Sequence, residues 1–471
     1  MSALPPMNPW LWSRTFSETY AAALDPDGVG RAQRDARLAQ LLATSFQDSP
    51  LYRARCSRRS TGAPRLQDLE PVSKAELMQH FDDWATDRRI TRSSVEAFLA
   101  SPERVGDAYL GRYLVWTSSG TSGEPGIFVQ DEQALATYDA LDALRLQGLG
   151  PRGPPAAAWG PAQRYAFVAA TGGHFAGVAS IERLRRLTAS TLVAMPWLAP
   201  SIRSFSVLQP LDRLGQELQA FAPTVLITYP SCADALAQAQ LAGTLHLHPA
   251  EVWVGGEQLS DAQRQRIRSA FGARLRNSYG ASECYAMAWE CAQGCLHLNN
   301  DWLVLEPVDR RMRPVPPGEA SHAVLLTNLA NRVQPLLRYQ LGDSVRHLPR
   351  CGCGSAFPAI EVQGRADHTL LLQDARKREV RLLPLALSTV IEEGAGVTQF
   401  QLLCTAPQRL ELRFEAGVAD AAAAFKATRA VLADYLATHG LEAVRIVHGR
   451  APPLRHPRSG KLERVRYAEG A

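Results

Sequence analysis

The stretch "VWTSSGTSGEPG", residues 115–126, decides how the rest of this sequence is interpreted, because it consists mainly of Ser, Thr and Gly. Short β-rich runs flank it, "YLVW" before and "GIFVQ" after. Small residues expose backbone N–H groups with little steric bulk, and hydroxyls add donors, so such a loop can bind phosphate oxygens. A flexible linker is the alternative, although linkers join domains rather than adjacent strands. The loop lacks the Gly-Lys-Ser/Thr ending of a Walker loop.

Five further motifs follow this loop along the chain, and each is weak evidence when taken alone. They are "VGGEQLS" at 254–260, "NSYGASE" at 277–283, "RYQLGD" at 338–343, "GRADH" at 364–368 and "HPRSGKLER" at 456–464. In this order, and behind a Ser/Thr/Gly loop, they resemble the adenylate-forming enzymes, which include acyl-CoA synthetases and peptide-synthetase adenylation domains.

Other segments are similar to the phenylacetate–CoA ligase branch of that superfamily, and the similarity covers nearly the whole chain. They include "SPLYRARC", "LEPVSKAELMQHFDDWATD" and "LTNLANRVQPLLRYQLGDSV". The resemblance implies an α/β fold with a large N-terminal domain of layered sheets and helices, residues 1–366, and a small mobile α+β domain, residues 367–471. Short apolar strands that alternate with helices in the middle of the chain also indicate a layered α/β body with largely parallel strands.

The resemblance implies that the chain activates a carboxylic acid by joining it to the α-phosphate of ATP. The carboxylate is itself the nucleophile, so the site needs charge neutralisation and alignment rather than a nucleophilic Ser or Cys. The loop residues that would cradle the ATP phosphates are Thr117, Ser118, Ser119, Gly120, Thr121, Ser122 and Gly123. Gly126 stands where many relatives carry a lysine that closes the loop.

Further residues match nucleotide-binding positions of the superfamily. Glu283 matches the position that helps to hold Mg²⁺, and a carboxylate suits this hard cation. Asp343 matches the acid that accepts from the ribose hydroxyls, and Arg365 matches an arginine near ribose and phosphate. The remaining nucleotide-site residues are Gly255, Gly256, Glu257, Ser278, Tyr279, Gly280, Ala281 and Ser282.

Two residues near the C-terminal domain match positions that act in catalysis and domain movement. Lys461, in "RSGKLER", would neutralise charge as pyrophosphate leaves. Asp367 matches the hinge about which the small domain swings after adenylation, so that one site serves two half-reactions. His368 follows it, where many relatives carry a second acid.

Two short clusters of Cys and His predict a structural zinc site, because thiolates and imidazole are the usual ligands of a closed tetrahedral zinc. The phenylacetate–CoA ligase-like proteins often carry such a cluster, which points to Cys291, His297, Cys351 and Cys353 as ligands and leaves Cys295 spare. Free thiols are the alternative interpretation. The predicted metal has no open coordination position and would tie the "YGASE" region to the segment after "LGD".

The acyl pocket is expected between the middle strands and "YGASE". His174, Phe175, Tyr229 and Pro230 could form a flat apolar slot with a polar handle, which suits a small aromatic acid. For the two rings the alternative is an ordinary core position, and for His174 a buried and satisfied imidazole.

The bulk composition excludes several classes. A net charge of +5 on 471 residues, with Arg and Lys interspersed among acids, argues against nucleic-acid binding. No signal peptide or apolar membrane span is recognisable, and the Cys content does not indicate a disulfide scaffold, so a cytoplasmic monomer or homodimer is expected.

The function that fits is ATP- and Mg²⁺-dependent formation of an acyl-adenylate, followed by transfer of the acyl group to coenzyme A. A phosphopantetheinyl carrier protein is the alternative acceptor, since it presents the same thiol arm. A non-catalytic nucleotide-binding relative is a third reading, which Gly126 and His368 leave open.

Overall fold

The computed structural model describes residues 7–56, 65–118, 125–148, 163–170, 173–191, 200–363, 370–397, 400–415, 418, 420–454 and 463–468. The predicted phosphate-loop residues 119–123 lie outside the described residues. The same holds for Arg365, Asp367, His368 and Lys461, and for the proposed domain boundary.

The N-terminal region is helical. Its helices are α1 (Pro9–Leu24), α2 (Arg31–Asp48), α3 (Pro50–Cys56), α4 (Lys74–Gln79), α5 (Phe81–Trp84) and α6 (Arg92–Leu99). Ser73 caps α4, because its hydroxyl accepts a hydrogen bond from the backbone N–H of Glu76 at 3.2 Å. The Glu76 carboxylate does not complete a capping box and pairs with Arg55 instead.

The phosphate-loop stretch connects two antiparallel strands, β1 (Leu114–Thr117) and β2 (Ile127–Gln130). The next element is α7 (Glu132–Leu141), which Asp131 caps by accepting from Ala134 N. This helix is buried on nearly all sides and continues into a π-helical turn, Asp142–Leu146. Such turns inside helices often occur at functional sites.

A nine-stranded sheet organises the middle of the chain, in the order β13-β14-β9-β8-β7-β6-β5-β3-β4. Its strands are β3 (Arg164–Ala169), β4 (Ser201–Ser206), β5 (Val225–Thr228), β6 (Glu251–Val254), β7 (Arg274–Ala281), β8 (Cys284–Glu290), β9 (Leu296–Leu298), β13 (Ser344–His347) and β14 (Ala359–Gln363). Strands β3 to β7 are parallel and the others antiparallel. The predicted parallel α/β body is therefore confirmed.

Helices connect the parallel strands, as expected for crossover connections. They are α8 (Ala176–Thr191), α9 (Leu211–Phe221), α10 (Pro230–Leu241) and α11 (Asp261–Phe271). A separate antiparallel sheet contains β10 (Leu303–Val308), β11 (Ala323–Asn328) and β12 (Leu336–Leu341).

The last hundred residues form a smaller α+β region with its own sheets. The elements are β15 (Leu370–Gln373), β16 (Glu379–Leu382), α12 (Pro384–Ala395), β17 (Phe400–Ala406), β18 (Arg409–Phe414), α13 (Ala421–Thr438), β19 (Arg445–His448) and β20 (Val465–Tyr467). Strands β17 to β20 make one sheet in the order β19-β18-β17-β20.

Two large apolar cores hold these layers together. The first joins the N-terminal helices to β1, β2, α7 and the β10–β12 sheet, and it contains Trp84, Trp116 and Phe128. The second joins α9–α11 to the C-terminal region, and it contains Leu236 and Phe400. Each core is contiguous, so burial of apolar surface holds the helices and strands around it in place.

A buried ion pair crosslinks the first core. Arg145, in the π-helical turn, donates to both carboxylate oxygens of Asp301 at 2.8 and 2.7 Å and to Asn299 Oδ1 at 2.6 Å. The backbone carbonyl of Asp301 accepts from Arg37 at 2.8 Å. The side chain of Asp301 is fully buried, so loss of its charge would leave Arg145 without a counter-ion.

We expect Asp301→Asn to lower the free energy of unfolding by about 3 kcal/mol, because breaking a buried pair leaves an uncompensated charge. Urea unfolding followed by circular dichroism measures this. Asp309→Asn is the control, since Asp309 pairs with Arg313 on the surface and surface pairs contribute little. An equal change in both variants would contradict the assignment.

Candidate functional site

A cavity of about 2490 Å³ lies at the carboxyl edge of the parallel strands. Loops that follow β5, β6 and β7 meet there, because parallel strands end at the same edge of a sheet. The predicted site residues that line the cavity are Ser118, Phe175, Tyr229, Gly255, Gly256, Glu257, Ser278, Tyr279, Gly280, Ala281, Ser282, Glu283 and Asp343. The structure therefore brings four separate motifs to one space.

The base of the phosphate loop is closed by two reciprocal hydrogen bonds. Ser118 N donates to the carbonyl of Gly126, and Gly126 N donates to Ser118 Oγ, both at 2.8 Å. A Cβ at Gly126 would lie 2.7 Å from the ring of Phe128. A side chain at this position would displace that buried ring, which gives a packing reason for glycine here.

Glu283 lies at the end of the hairpin between β7 and β8 and is held by one strong hydrogen bond. Tyr339 donates its hydroxyl to Glu283 Oε1 at 2.7 Å. Burial raises the pKa of Glu283, while the Tyr339 hydrogen bond and the positive charge of Lys74 act in the opposite direction. Both neighbours line the same cavity as Glu283.

Tyr279 and Asp343 form the second polar contact of the site. The Tyr279 hydroxyl donates to Asp343 Oδ2 at 2.9 Å, which fixes a loop aspartate that follows β12. Between Tyr279 and Glu283 the backbone has no room for a side chain at Gly280, because a Cβ there would lie 2.0 Å from the carbonyl oxygen of Tyr285. Glycine is thus required for the tight β7–β8 turn.

Glu257 has a role that its motif did not reveal. Its carboxylate accepts from Ser231 N at 2.9 Å and from Ser231 Oγ at 3.0 Å, so it caps the first turn of α10. The neighbouring Gly256 has φ +80° and lies against the ring of Tyr229. In this segment the carboxylate serves helix packing, while the backbone of Gly255 and Gly256 borders the cavity.

The four residues predicted for the acyl slot divide into two groups. Phe175 and Tyr229 line the cavity, whereas His174 and Pro230 do not. His174 is buried, its Nε2 lies 3.2 Å from the carbonyl oxygen of Ser101, and burial lowers its pKa. Its backbone carbonyl accepts from Thr117 N at 2.7 Å. His174 and Pro230, the latter in the first turn of α10, therefore contribute to packing around the slot.

Several cavity residues were not identified from the sequence. Lys74, Asp142 and Tyr285 line the cavity. Trp12 and Phe16 of α1 also line the cavity.

The predicted zinc ligands converge in the structure. The ligand atoms of Cys291, His297, Cys351 and Cys353 all lie within 4.8 Å of one another. Cys291 Sγ is 3.8 Å from Cys351 Sγ, and Cys353 Sγ is 3.3 Å from His297 Nε2. The separations fit a tetrahedron around zinc, in which sulfurs 2.3 Å from the metal lie about 3.8 Å apart.

The histidine of this cluster has the orientation that a metal ligand needs. His297 is fully buried, and its Nδ1 is 2.8 Å from the carbonyl oxygen of Phe357. A proton on Nδ1 donates to that oxygen, which leaves the Nε2 lone pair directed at the three thiols. Cys295 lines the large cavity and is absent from the four-residue group; that it is a spare cysteine beside a zinc site stays a prediction.

Comparisons with known proteins address the fold. No family model matches the sequence. Protein CapK of Staphylococcus aureus is 29% identical over 132 residues, which are 28% of this chain and 28% of CapK. The structure of 2-hydroxyisobutyryl-CoA ligase, bound to 2-HIB-AMP and CoA in the thioesterification state, superimposes with a TM-score of 0.56 at 19% identity, over 93% of this chain and 89% of that chain.

This chain has the fold of that CoA ligase. An open conformation of the same ligase, also with 2-HIB-AMP and CoA, gives a TM-score of 0.52 at 18% identity, over 93% of this chain and 91% of that one. The α/β fold implied by the resemblance to the adenylate-forming enzymes is therefore confirmed. Assignment to the phenylacetate–CoA ligase branch stays a prediction.

Among the described residues, no helix is long and apolar enough to cross a membrane.

Proposed function

We propose that this chain activates a small carboxylic acid with ATP and transfers the acyl group to coenzyme A. One observation carries the proposal: the Ser118 loop base, Glu283 with Tyr339, and Asp343 with Tyr279 line one cavity. The fold is that of a ligase whose structure holds an acyl-AMP and CoA. A cavity of this size can hold a nucleotide, an acyl group and a thiol arm together.

In the first step a carboxylate oxygen of the acid attacks the α-phosphorus of ATP, and the bond to the bridging oxygen of pyrophosphate breaks. Ser118 and the loop that follows would bind the phosphate oxygens, and Asp343 would accept from the ribose hydroxyls. Mg²⁺, when bound, would neutralise phosphate charge. Glu283 would hold the cation, and Lys74, which lines the same cavity, would add a second positive charge.

In the second step a thiol attacks the acyl carbonyl and AMP leaves. Residues of the C-terminal region, including Ser388 and Glu392 of α12 and Arg464, line the cavity. We therefore propose that residues 367–471 act as a small lid domain, which supplies Lys461 for the first step and moves about Asp367 before the second.

The aromatic character of the slot supports an aromatic acid. Phe175 and Tyr229 line the cavity together with Tyr285. Tyr285 packs against Trp116 and Tyr138, with ring centroids 6.1 and 6.0 Å apart. A planar acyl group can stack among such rings.

The test is pyrophosphate release from ATP with a panel of aryl and small aliphatic acids, followed by addition of CoA or a holo-carrier protein. Acid-dependent release followed by an acyl-CoA thioester supports the proposal. A thioester formed only on the carrier protein assigns the acceptor differently. No acid-dependent release with any acid, despite nucleotide binding, would identify a non-catalytic relative.

Glu283→Gln is expected to slow adenylation by roughly 10- to 100-fold and to raise the Mg²⁺ concentration needed for half-maximal rate. The change removes the charge that would hold the cation but keeps an acceptor for Tyr339. Because burial raises the pKa of Glu283, wild-type adenylation should decline on acidification at a higher pH than an ordinary glutamate would give. Lys74, Tyr339 and Asp343 are the groups that face it. An unchanged Mg²⁺ requirement in the variant would contradict this role.

We also propose that Cys291, His297, Cys351 and Cys353 hold a structural zinc ion. The donor set, the burial of His297 and the tetrahedral separations support this. The ion would join the turn after β8 to the turn after β13.

A further inference from the structure

Two aspartates one helical turn apart face the cavity from the end of α7, but their surroundings differ. Asp139 and Asp142 both line the cavity. Arg183, a buried side chain of α8, donates to the two carboxylate oxygens of Asp139 at 3.0 and 2.9 Å. Asp139 is therefore neutralised within the protein.

Asp142 has no such partner among the described residues. The nearest arginine along the helix, Arg145, is already paired with Asp301 and Asn299. Burial, and secondly the charge of Asp139, raises the pKa of Asp142 to about 7. An ionised carboxylate in this position would therefore gain from any donor that enters the cavity.

The surroundings of Asp142 place it on the acyl side of the cavity. Burial raises the pKa of Tyr285, and the charge of Asp142 and the proximity of Tyr229 add to this effect. Tyr285 packs against Tyr138, four residues before Asp142, with ring centroids 6.0 Å apart, and Tyr229 lines the same cavity. Tyr229 in turn packs on Gly256, beside the nucleotide-binding segment.

We propose that Asp142 is a specificity-determining residue that selects acids with a hydrogen-bond donor, a hydroxyl or an amino group, at the end remote from the carboxylate. This inference rests on the proposed function, because it assumes that an acid occupies the slot beside Tyr285. An acid without a donor at that end would displace water from the Asp142 carboxylate and would not replace the hydrogen bonds that the water made. A donor on the acid would replace them, and a site built to bind such a group discriminates strongly against analogues that lack it.

The experiment compares three matched acids that share one aryl skeleton: unsubstituted, hydroxyl-substituted and aminomethyl-substituted. The measured quantity is kcat/KM for pyrophosphate release. Wild type should prefer a donor-bearing acid over the unsubstituted acid on the order of 100-fold. Asp142→Leu should remove this preference, because leucine offers no acceptor. Asp142→Asn keeps an acceptor oxygen without the charge. This variant should therefore keep the preference in kcat/KM for the hydroxyl-substituted acid and lose the preference for the cationic aminomethyl acid.

Asp139→Asn is the matched control, since this neighbouring carboxylate already has Arg183 as its partner. It should lower the melting temperature and leave the preference for the hydroxyl-substituted over the unsubstituted acid unchanged, because Asp142 keeps its acceptor oxygens. The aminomethyl acid is not used in this control, since the charge of Asp139 raises the pKa of Asp142. The two Asp142 variants should melt above wild type, and more so at pH 8 than at pH 5.5. The reason is that wild-type Asp142 is neutral below its pKa and must be charged above it, whereas the unfolded chain carries an ordinary aspartate.

Equal acid ratios in wild type and Asp142→Leu, with pyrophosphate release intact, would overturn the role of Asp142 and leave the proposed function standing. A shift of the ratio in Asp139→Asn as large as that in Asp142→Leu would also overturn it. Failure of every acid to release pyrophosphate would instead remove the proposed function, and the specificity role with it.

Discussion

Lys461→Ala is expected to slow acyl-adenylate formation by about 10²- to 10³-fold, while thioester formation from a supplied acyl-adenylate proceeds nearly as in wild type. Only the first half-reaction expels pyrophosphate, so only that step needs a cation at the departing charge. The described residue Arg464, three positions further along, lines the cavity and pairs with Glu392 of α12. Arg464, the last residue of the "RSGKLER" motif, therefore borders the cavity.

The two half-reactions are measured separately, the first by ATP–pyrophosphate exchange and the second by CoA consumption with synthetic acyl-adenylate. Lys426→Ala is the control, because Lys426 is exposed on α13 and does not line the cavity. Equal losses in both half-reactions of Lys461→Ala would count against a role confined to the first step. Equal losses in Lys426→Ala would point to a general effect of positive charge on the lid.

Much of the fold could be predicted from local sequence patterns. The short apolar runs "TVLITYP" and "EVWVGG" contain the buried parallel strands β5 and β6, and the stretch "LDRLGQELQAF" forms α9. Strand β4 (Ser201–Ser206) was missed because "SIRSFS" is polar, and only Phe205 of this edge strand is buried. An edge strand buries little, so it leaves a weak hydrophobic signal.

The site was predictable where a motif carries it and not where tertiary packing creates it. The order of "NSYGASE" and "RYQLGD" pointed to Glu283 and Asp343, and both line the cavity. The sequence could not show that Tyr339 holds Glu283, because the two residues are 56 positions apart and meet only when β12 packs near the β7–β8 turn. It also could not distinguish Asp142 from Asp139, since only the fold brings Arg183 to one of them.

Removal of one ligand from the Cys/His cluster is expected to have the largest effect on stability. If the four side chains hold zinc, Cys353→Ser should abolish stoichiometric zinc and lower the free energy of unfolding by ~5 kcal/mol or more, because the binding free energy of a structural zinc is part of the folding free energy. The physical reason is the position of the cluster. Cys291 follows β8, while Cys351 and Cys353 precede β14. One ion would therefore link two turns that are far apart in the sequence.

The control is Cys295→Ser, because Cys295 lies in the same turn as Cys291, whose N–H donates to the carbonyl of Cys295 at 2.9 Å, yet it is not among the four convergent ligands. Zinc content by mass spectrometry of the native protein and thermal melting with and without a chelator are the measurements. Cys295→Ser should keep one zinc and the wild-type melting temperature, and His297→Ala should behave like Cys353→Ser. A wild-type protein that is purified without zinc, binds none on addition and melts at the same temperature with a chelator would show that the four residues are free thiols around a buried histidine.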